Sequence, residues 1–223
     1  MNYLWLCPCC LLLMGFFISL EHEERYVDAV ILKGLASLEF VVLGFLSRKA
    51  CTDLEFANLV MIGLILGLIA DVMLNLRFVF KNKGKLVFLV GILIFLSGHL
   101  VYLAALWPKC LNIELALIVG AILSVIILIW IFTKIEAQIA FKIFGVFYIA
   151  AIVIMNSVAF KVLLESYSVG RLVFAIGALS FLISDIVLIL NTFGKETKLS
   201  LRITNLTFYY IGQLLIALSL QLL

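Results

Sequence analysis

Two carboxylates lie where hydrocarbon makes them expensive. Asp71 sits in the run Gly63 to Leu76 (GLILGLIADVMLNL) and Asp185 in the run Gly177 to Leu190 (GALSFLISDIVLIL). An ionisable group inside so apolar a stretch marks a functional interior rather than a lipid-facing surface. Two nearby carboxylates in a low-dielectric site tend to share one proton near neutral pH, so one member can act as an acid while the other is ionised. The same pair is also suited to carrying protons through a transporter. A purely structural hydrogen bond or ion pair between helices is the plainer alternative, but it leaves the equivalence of the two positions unexplained.

That equivalence is a repeat. Shifting the sequence by 114 residues, the separation of Asp71 and Asp185, superposes Gly63 on Gly177, Phe95 on Tyr209, Gly98 on Gly212 and His99 on Gln213 without a gap. Matches of leucine on leucine mean little in this chain, so the glycines, the carboxylates and the Gly-His/Gly-Gln pair carry the argument.

Other polar residues fall inside apolar runs. Lys33 and Glu39 are six apart in one run, too far round a helix to face each other. Either is a candidate partner for an aspartate, the alternative for Lys33 being a side chain that snorkels to the interface. His99 has Tyr102 about one turn away on the same helical face, and Tyr148, Tyr209, Tyr210 and Gln213 offer further donors. His99 is fourteen residues from Lys85, about 21 Å of helix, whereas Asp71 is six residues from Arg77, about 9 Å; this depth difference argues against a direct Asp71–His99 pair. Gly63, Gly67 and Gly98 permit close helix approach, which is packing rather than chemistry. Only two histidines are present and Cys7, Cys9 and Cys10 have no second ligand cluster, so no metal and no cofactor is expected.

The elements that must position these residues are membrane helices. Of 223 residues, 66% are hydrophobic and 13% charged, which excludes a soluble domain and implies a multi-pass integral membrane protein surrounded by the bilayer. The net charge of +3 comes mostly from short loops and gives no reason to expect nucleic acid. Eight spans are predicted, at about 4–20, 26–47, 54–76, 86–107, 112–133, 140–163, 171–192 and 199–222, the first read as a span because it lacks a basic leader and a cleavage pattern. The fold class is therefore all-α: a single transmembrane bundle over 1–223, built as a four-plus-four parallel repeat with halves of about 1–110 and 111–223. Lys and Arg count ten on the side of the loops after spans one, three, five and seven, against five on the other, placing the former in the cytoplasm and both termini outside.

These residues resemble the YhhN family of integral membrane lysoplasmalogenases. The resemblance runs from about Lys33 to Gln213 and rests on LIADVML around Asp71, GILIFLSGHLVY with His99 and Tyr102, GALSFLISDIVLILNTF with Asp185 and Asn191, and YYIGQLLIA with Tyr210 and Gln213. Ala70 and Gly34 stand where the family commonly has glycine and proline. The resemblance implies hydrolysis of the vinyl ether of a lysophospholipid substrate to a fatty aldehyde and a glycerophospho-ethanolamine or -choline. Asp71 and Asp185 are then the catalytic pair, one as general acid and the other stabilising the cation and activating water. The sequence assigns these roles to the pair and not to either member. Lys33, His99, Tyr102, Tyr210, Gln213 and Asn191 are the candidates to bind or orient substrate and water, Lys33 by meeting the phosphate. An intramembrane aspartyl protease would need Gly-x-Gly-Asp, which is missing, so the alternative kept is a proton-coupled transporter of a small or lipid-like solute.

Overall fold

The computed structural model describes residues 3–223. Among them are eight α-helices: α1 (Leu6–His22), α2 (Tyr26–Arg48), α3 (Leu54–Val79), α4 (Gly84–Leu106), α5 (Ile113–Phe132), α6 (Ile139–Glu165), α7 (Val169–Phe193) and α8 (Leu199–Ser219). Every boundary falls within three residues of the expected span. The reason is physical: in a bilayer only internal hydrogen bonds satisfy the backbone, so each apolar run becomes helix and each polar break becomes loop. Loop residues sharpen the ends. Asp53 caps α3 by accepting from the Phe56 amide at 3.1 Å, and Ser168 caps α7 by accepting from the Arg171 amide at 3.2 Å. Glu165, the last residue of α6, accepts from the amides of Leu111 and Asn112 at 2.7 and 2.9 Å and so ties α6 to the start of α5.

Six of these helices, α2 to α7, are long and apolar enough to cross a membrane, which makes the chain an integral multi-pass membrane protein. The other two, also expected as spans, fall short of that length or hydrophobicity for different reasons. α1 is apolar but has only 17 residues, about 26 Å of helix. α8 has 21 residues and reads as less apolar because it carries buried Asn205, Tyr209, Tyr210 and Gln213. Wrapped by α7, α2 and α1, it is the polar spine of the bundle.

The repeat is visible in how the helices pack. α3 packs tightly on α4, and α7 packs on α8 in the same way. The contact points correspond: a Cβ placed on Gly98 would lie 3.6 Å from the Gly63 carbonyl, and one on Gly212 would lie 2.9 Å from the Gly177 carbonyl. At the second crossing there is no room for a side chain. The two pairs are joined by α4 against α6 and, at the equivalent place, α8 against α2. Symmetry fails at the periphery, where α1 touches both α2 and α8 while α5 leans mainly on α6. Ile118, Ile122, Ile126 and Ile129 of α5 accordingly face outward, as a lipid-contacting surface requires.

Candidate active site

Asp71, on α3, is held by side chains from two other helices. Lys33 and Ser37 lie one turn apart on α2, a spacing that lets both reach the same carboxylate on α3. The Lys33 ammonium lies 3.0 Å from Asp71 Oδ1, Ser37 Oγ donates to Oδ2 at 2.7 Å, and the Tyr209 hydroxyl of α8 donates to the same oxygen at 2.6 Å. Lys33 and Asp71 are both buried, so their charges are balanced by each other and by these hydroxyls rather than by water. Lys33 also donates to Asn75 Oδ1 at 3.3 Å. Glu39 turns elsewhere, towards the Cys9 thiol at 3.5 Å.

Asp185 has different company. The Tyr148 hydroxyl of α6 donates to its Oδ2 at 2.7 Å, and His99 Nε2 of α4 lies 3.4 Å from both that oxygen and the Tyr148 hydroxyl. His99 thus meets Asp185 and not Asp71; since the two aspartates share one cavity, packing rather than depth along the helix decides the pairing. Its Nδ1 is buried and has no partner among the described residues, and its ring packs edge-on against Phe181 at 4.7 Å.

The two halves are bridged by aromatic rings and amides. Phe95, Phe181 and Tyr209 meet edge to face with centroids 5.1 to 5.9 Å apart. Behind Tyr209, the Gln213 amide donates to its hydroxyl at 3.4 Å and accepts from Tyr102 at 3.1 Å. The Tyr210 hydroxyl lies 3.3 Å from Ser37 Oγ and donates to the Lys33 carbonyl at 3.5 Å.

Both aspartates line one cavity of about 30 Å³, together with Lys33, Ser184 and Tyr209. A polar space of that size accommodates about one water. Two further spaces share its walls. Through Arg77, Leu188 and Arg202 it adjoins a polar vestibule of about 520 Å³ between Glu21, His22, Asn191 and Lys198. Through Leu74, Phe88, Phe95 and Leu188 it adjoins an apolar slot of about 50 Å³ that continues between Phe141, Phe144, Tyr148 and Phe193. At Gly145, on that slot, an added Cβ would meet nothing within 4 Å. A cavity of about 170 Å³ at the other end of the bundle, between Thr52, Phe56, Lys109 and Arg171, touches neither aspartate.

Of the residues singled out by sequence, Asp71, Asp185, Lys33, His99, Tyr102, Tyr210 and Gln213 gather in this buried network. Asn191 does not: its Oδ1 accepts from the Lys198 amide at 2.8 Å, bracing the α7–α8 loop at the vestibule wall. Sequence reasoning missed Ser37, whose signal was its one-turn spacing from Lys33. It also missed Glu21, Asn75 and Arg202, which form a chain into the site. Arg202 donates twice to Glu21 at 2.9 and 2.8 Å, and Asn75 donates to Glu21 at 3.1 Å while accepting from Lys33. Glu21 and Arg202 flank apolar runs and read as loop charges. Among the described residues, no three His, Cys, Asp or Glu side chains converge as metal ligands.

Comparison with known proteins agrees on one point. The YhhN family model matches residues 28–220, most of the chain. No curated protein and no solved structure matches it.

Proposed function

Because this chain belongs to the YhhN family, which includes lysoplasmalogenases, we propose that it hydrolyses the vinyl ether of lysoplasmalogens at Asp71 and Asp185. One observation carries the reading: both carboxylates line a water-sized cavity set between a polar vestibule and an apolar slot, and among the described residues a buried ammonium lies beside Asp71 and none beside Asp185. The order of these spaces matches the order of parts in a single-chain amphiphile, head group towards the vestibule, tail towards the slot and the ether between them, with the walls parting to admit it.

The roles follow from the partners. Asp71, paired with Lys33, is the ionised member. Asp185, whose neighbours are a phenol and an imidazole, holds the proton. Asp185 gives that proton to the vinyl carbon remote from oxygen, leaving an oxocarbenium ion on the carbon that bears it. Asp71 stabilises the cation, then takes a proton from water as the water oxygen bonds to that carbon. The hemiacetal collapses when its hydroxyl returns a proton to Asp185 and the glycerol oxygen leaves with the proton held by Asp71. The products are a fatty aldehyde and a glycerophospho-alcohol, with one water consumed. The division between a protonated and an ionised carboxylate is the one glycosidases use on a similar cation.

The test is aldehyde release from a vinyl-ether lysophospholipid by the purified protein in detergent, with and without chelator. Release that survives chelator and disappears in both Asp71→Asn and Asp185→Asn is expected. No release from folded wild type overturns the reading, and solute flux in proteoliposomes without product would replace it with transport.

A further inference from the structure

The vestibule holds several cations, but they are not equivalent. Arg202 is held by Glu21 through two hydrogen bonds, and Lys198 lies 3.0 Å from Glu196. Lys33, further in, belongs to Asp71. Arg77 differs: no carboxylate among the described residues pairs with it, although it lines both the vestibule and the aspartate cavity. Its guanidinium carbon lies 4.6 Å from the ring centroid of Phe78 and 4.4 Å from that of Phe88. Cation–π contact with two rings fixes the position of the group without consuming its N–H donors. The result is a placed, uncompensated fork of donors at the neck between the vestibule and the chemistry.

We propose that Arg77 anchors the phosphodiester of the substrate. A guanidinium matches two phosphate oxygens bidentately, and one uncompensated cation matches the single charge of a phosphodiester. The reach also fits. Asp71 and Arg77 are six residues apart on α3, about 9 Å of rise, and about six bonds separate phosphorus from the vinyl ether carbon. Phe88 underlies Arg77 and walls both the aspartate cavity and the apolar slot, so one side chain aligns the head-group and tail sites. The assignment rests on the lysophospholipid reading above, and replaces Lys33 as the phosphate ligand.

The experiment uses two ligands that cannot be hydrolysed: a 1-O-alkyl lysophospholipid, and the matching 1-O-alkylglycerol without phosphate. Binding of each is measured by calorimetry on the detergent-solubilised full chain, for wild type, Arg77→Gln and Arg77→Lys. The expected result is at least tenfold weaker phospholipid binding in Arg77→Gln, a smaller loss in Arg77→Lys, and unchanged alkylglycerol binding in both. In turnover, KM for the vinyl-ether lysophospholipid rises while kcat stays within about twofold. Equal weakening of both ligands, or none, overturns the anchor. Should Arg77→Gln lose its fold, Arg77→Lys decides by the same ratio of the two ligands. Selective phospholipid loss without any aldehyde release in wild type would sink the hydrolase and keep the anchor. Aldehyde release with no selective loss would do the reverse.

Discussion

Asp71 and Asp185 occupy equivalent places in the repeat, and their surroundings have diverged. With the same 114-residue shift, the position of Lys33 is filled by Phe147, and the position of Tyr148 by Gly34. Helix α2 therefore brings an ammonium to its aspartate where α6 brings a phenol. The α4/α8 pair diverges too, since Tyr209 donates to Asp71 while its counterpart Phe95 has no hydroxyl, and His99 beside Asp185 is replaced by Gln213. Asp71 collects a cation and two hydroxyls; Asp185 collects one hydroxyl and an imidazole. A symmetric site would give two identical carboxylates, whereas acid/base chemistry needs an unequal pair. Divergence at a few residues supplies the inequality while the backbone keeps its symmetry.

Removing either carboxylate breaks the comparison most severely. On the proposed mechanism, Asp71→Asn and Asp185→Asn each lower aldehyde release by about 10²- to 10⁴-fold, the usual worth of a general acid or base. Stability separates them. Asp71→Asn leaves the Lys33 ammonium buried without a counter-ion, at a cost of about 3–5 kcal/mol. Asp185→Asn keeps an acceptor for Tyr148 and costs about 1 kcal/mol. Unfolding of both variants in detergent, followed by circular dichroism, checks the order; equal losses would mean that Lys33 does not depend on Asp71. The pair can then be removed together. Lys33→Met with Asp71→Asn is expected to be more stable than Asp71→Asn alone, because no unpaired charge is left inside.

The tyrosines sharpen the same comparison at smaller scale. Tyr209→Phe removes a donor from the carboxylate assigned as ionised, worth about 1.5–3 kcal/mol; Tyr148→Phe removes one from the carboxylate assigned as protonated, worth about 0.5–1.5 kcal/mol. Melting of the two variants should follow that order. The reverse order would exchange the roles of the two aspartates.

Much of this contrast was legible before the structure. Hydrophobic runs placed all eight helices, because in lipid the backbone has no alternative to helix. The repeat paired Asp71 with Asp185, but the depth estimate for His99 gave no sign of its contact with Asp185. Partners across helices were harder to read. Ser37 shares a face with Lys33 by spacing alone, and only the rotation of α2 about its axis shows that this face meets Asp71. Glu21 and Arg202 are 181 residues apart and looked like loop charges, because nothing local reveals that α1 and α8 end beside each other. Asn191 is a different case: it lies six residues beyond Asp185 on α7, and its side chain accepts from the Lys198 amide at the vestibule wall instead of joining the aspartates. Helix positions are set by composition, but side-chain pairing is set by packing angles that composition does not encode.

The smallest expected difference lies far from the site, at the caps of the two aspartate-bearing helices. Asp53 and Ser168 each accept one amide hydrogen bond, so Asp53→Ala and Ser168→Ala should each cost about 1 kcal/mol. Asp53 also pairs with Lys109 at the surface, which adds under about 1 kcal/mol. The hydrogen bond from Lys109, helped by the Phe56 amide and opposed by partial burial, holds the Asp53 carboxyl below its ordinary value. A carboxyl lowered in the folded state contributes stability above its unfolded pKa of about 3.9 and loses it as pH falls through the folded value. The deficit of Asp53→Ala relative to wild type should therefore be full at pH 7 and shrink below about pH 4, whereas that of Ser168→Ala should not move with pH. Denaturation in detergent across pH 3 to 7 measures both. Parallel pH curves would show that Asp53 acts on α3 through its shape as a cap and not through its charge.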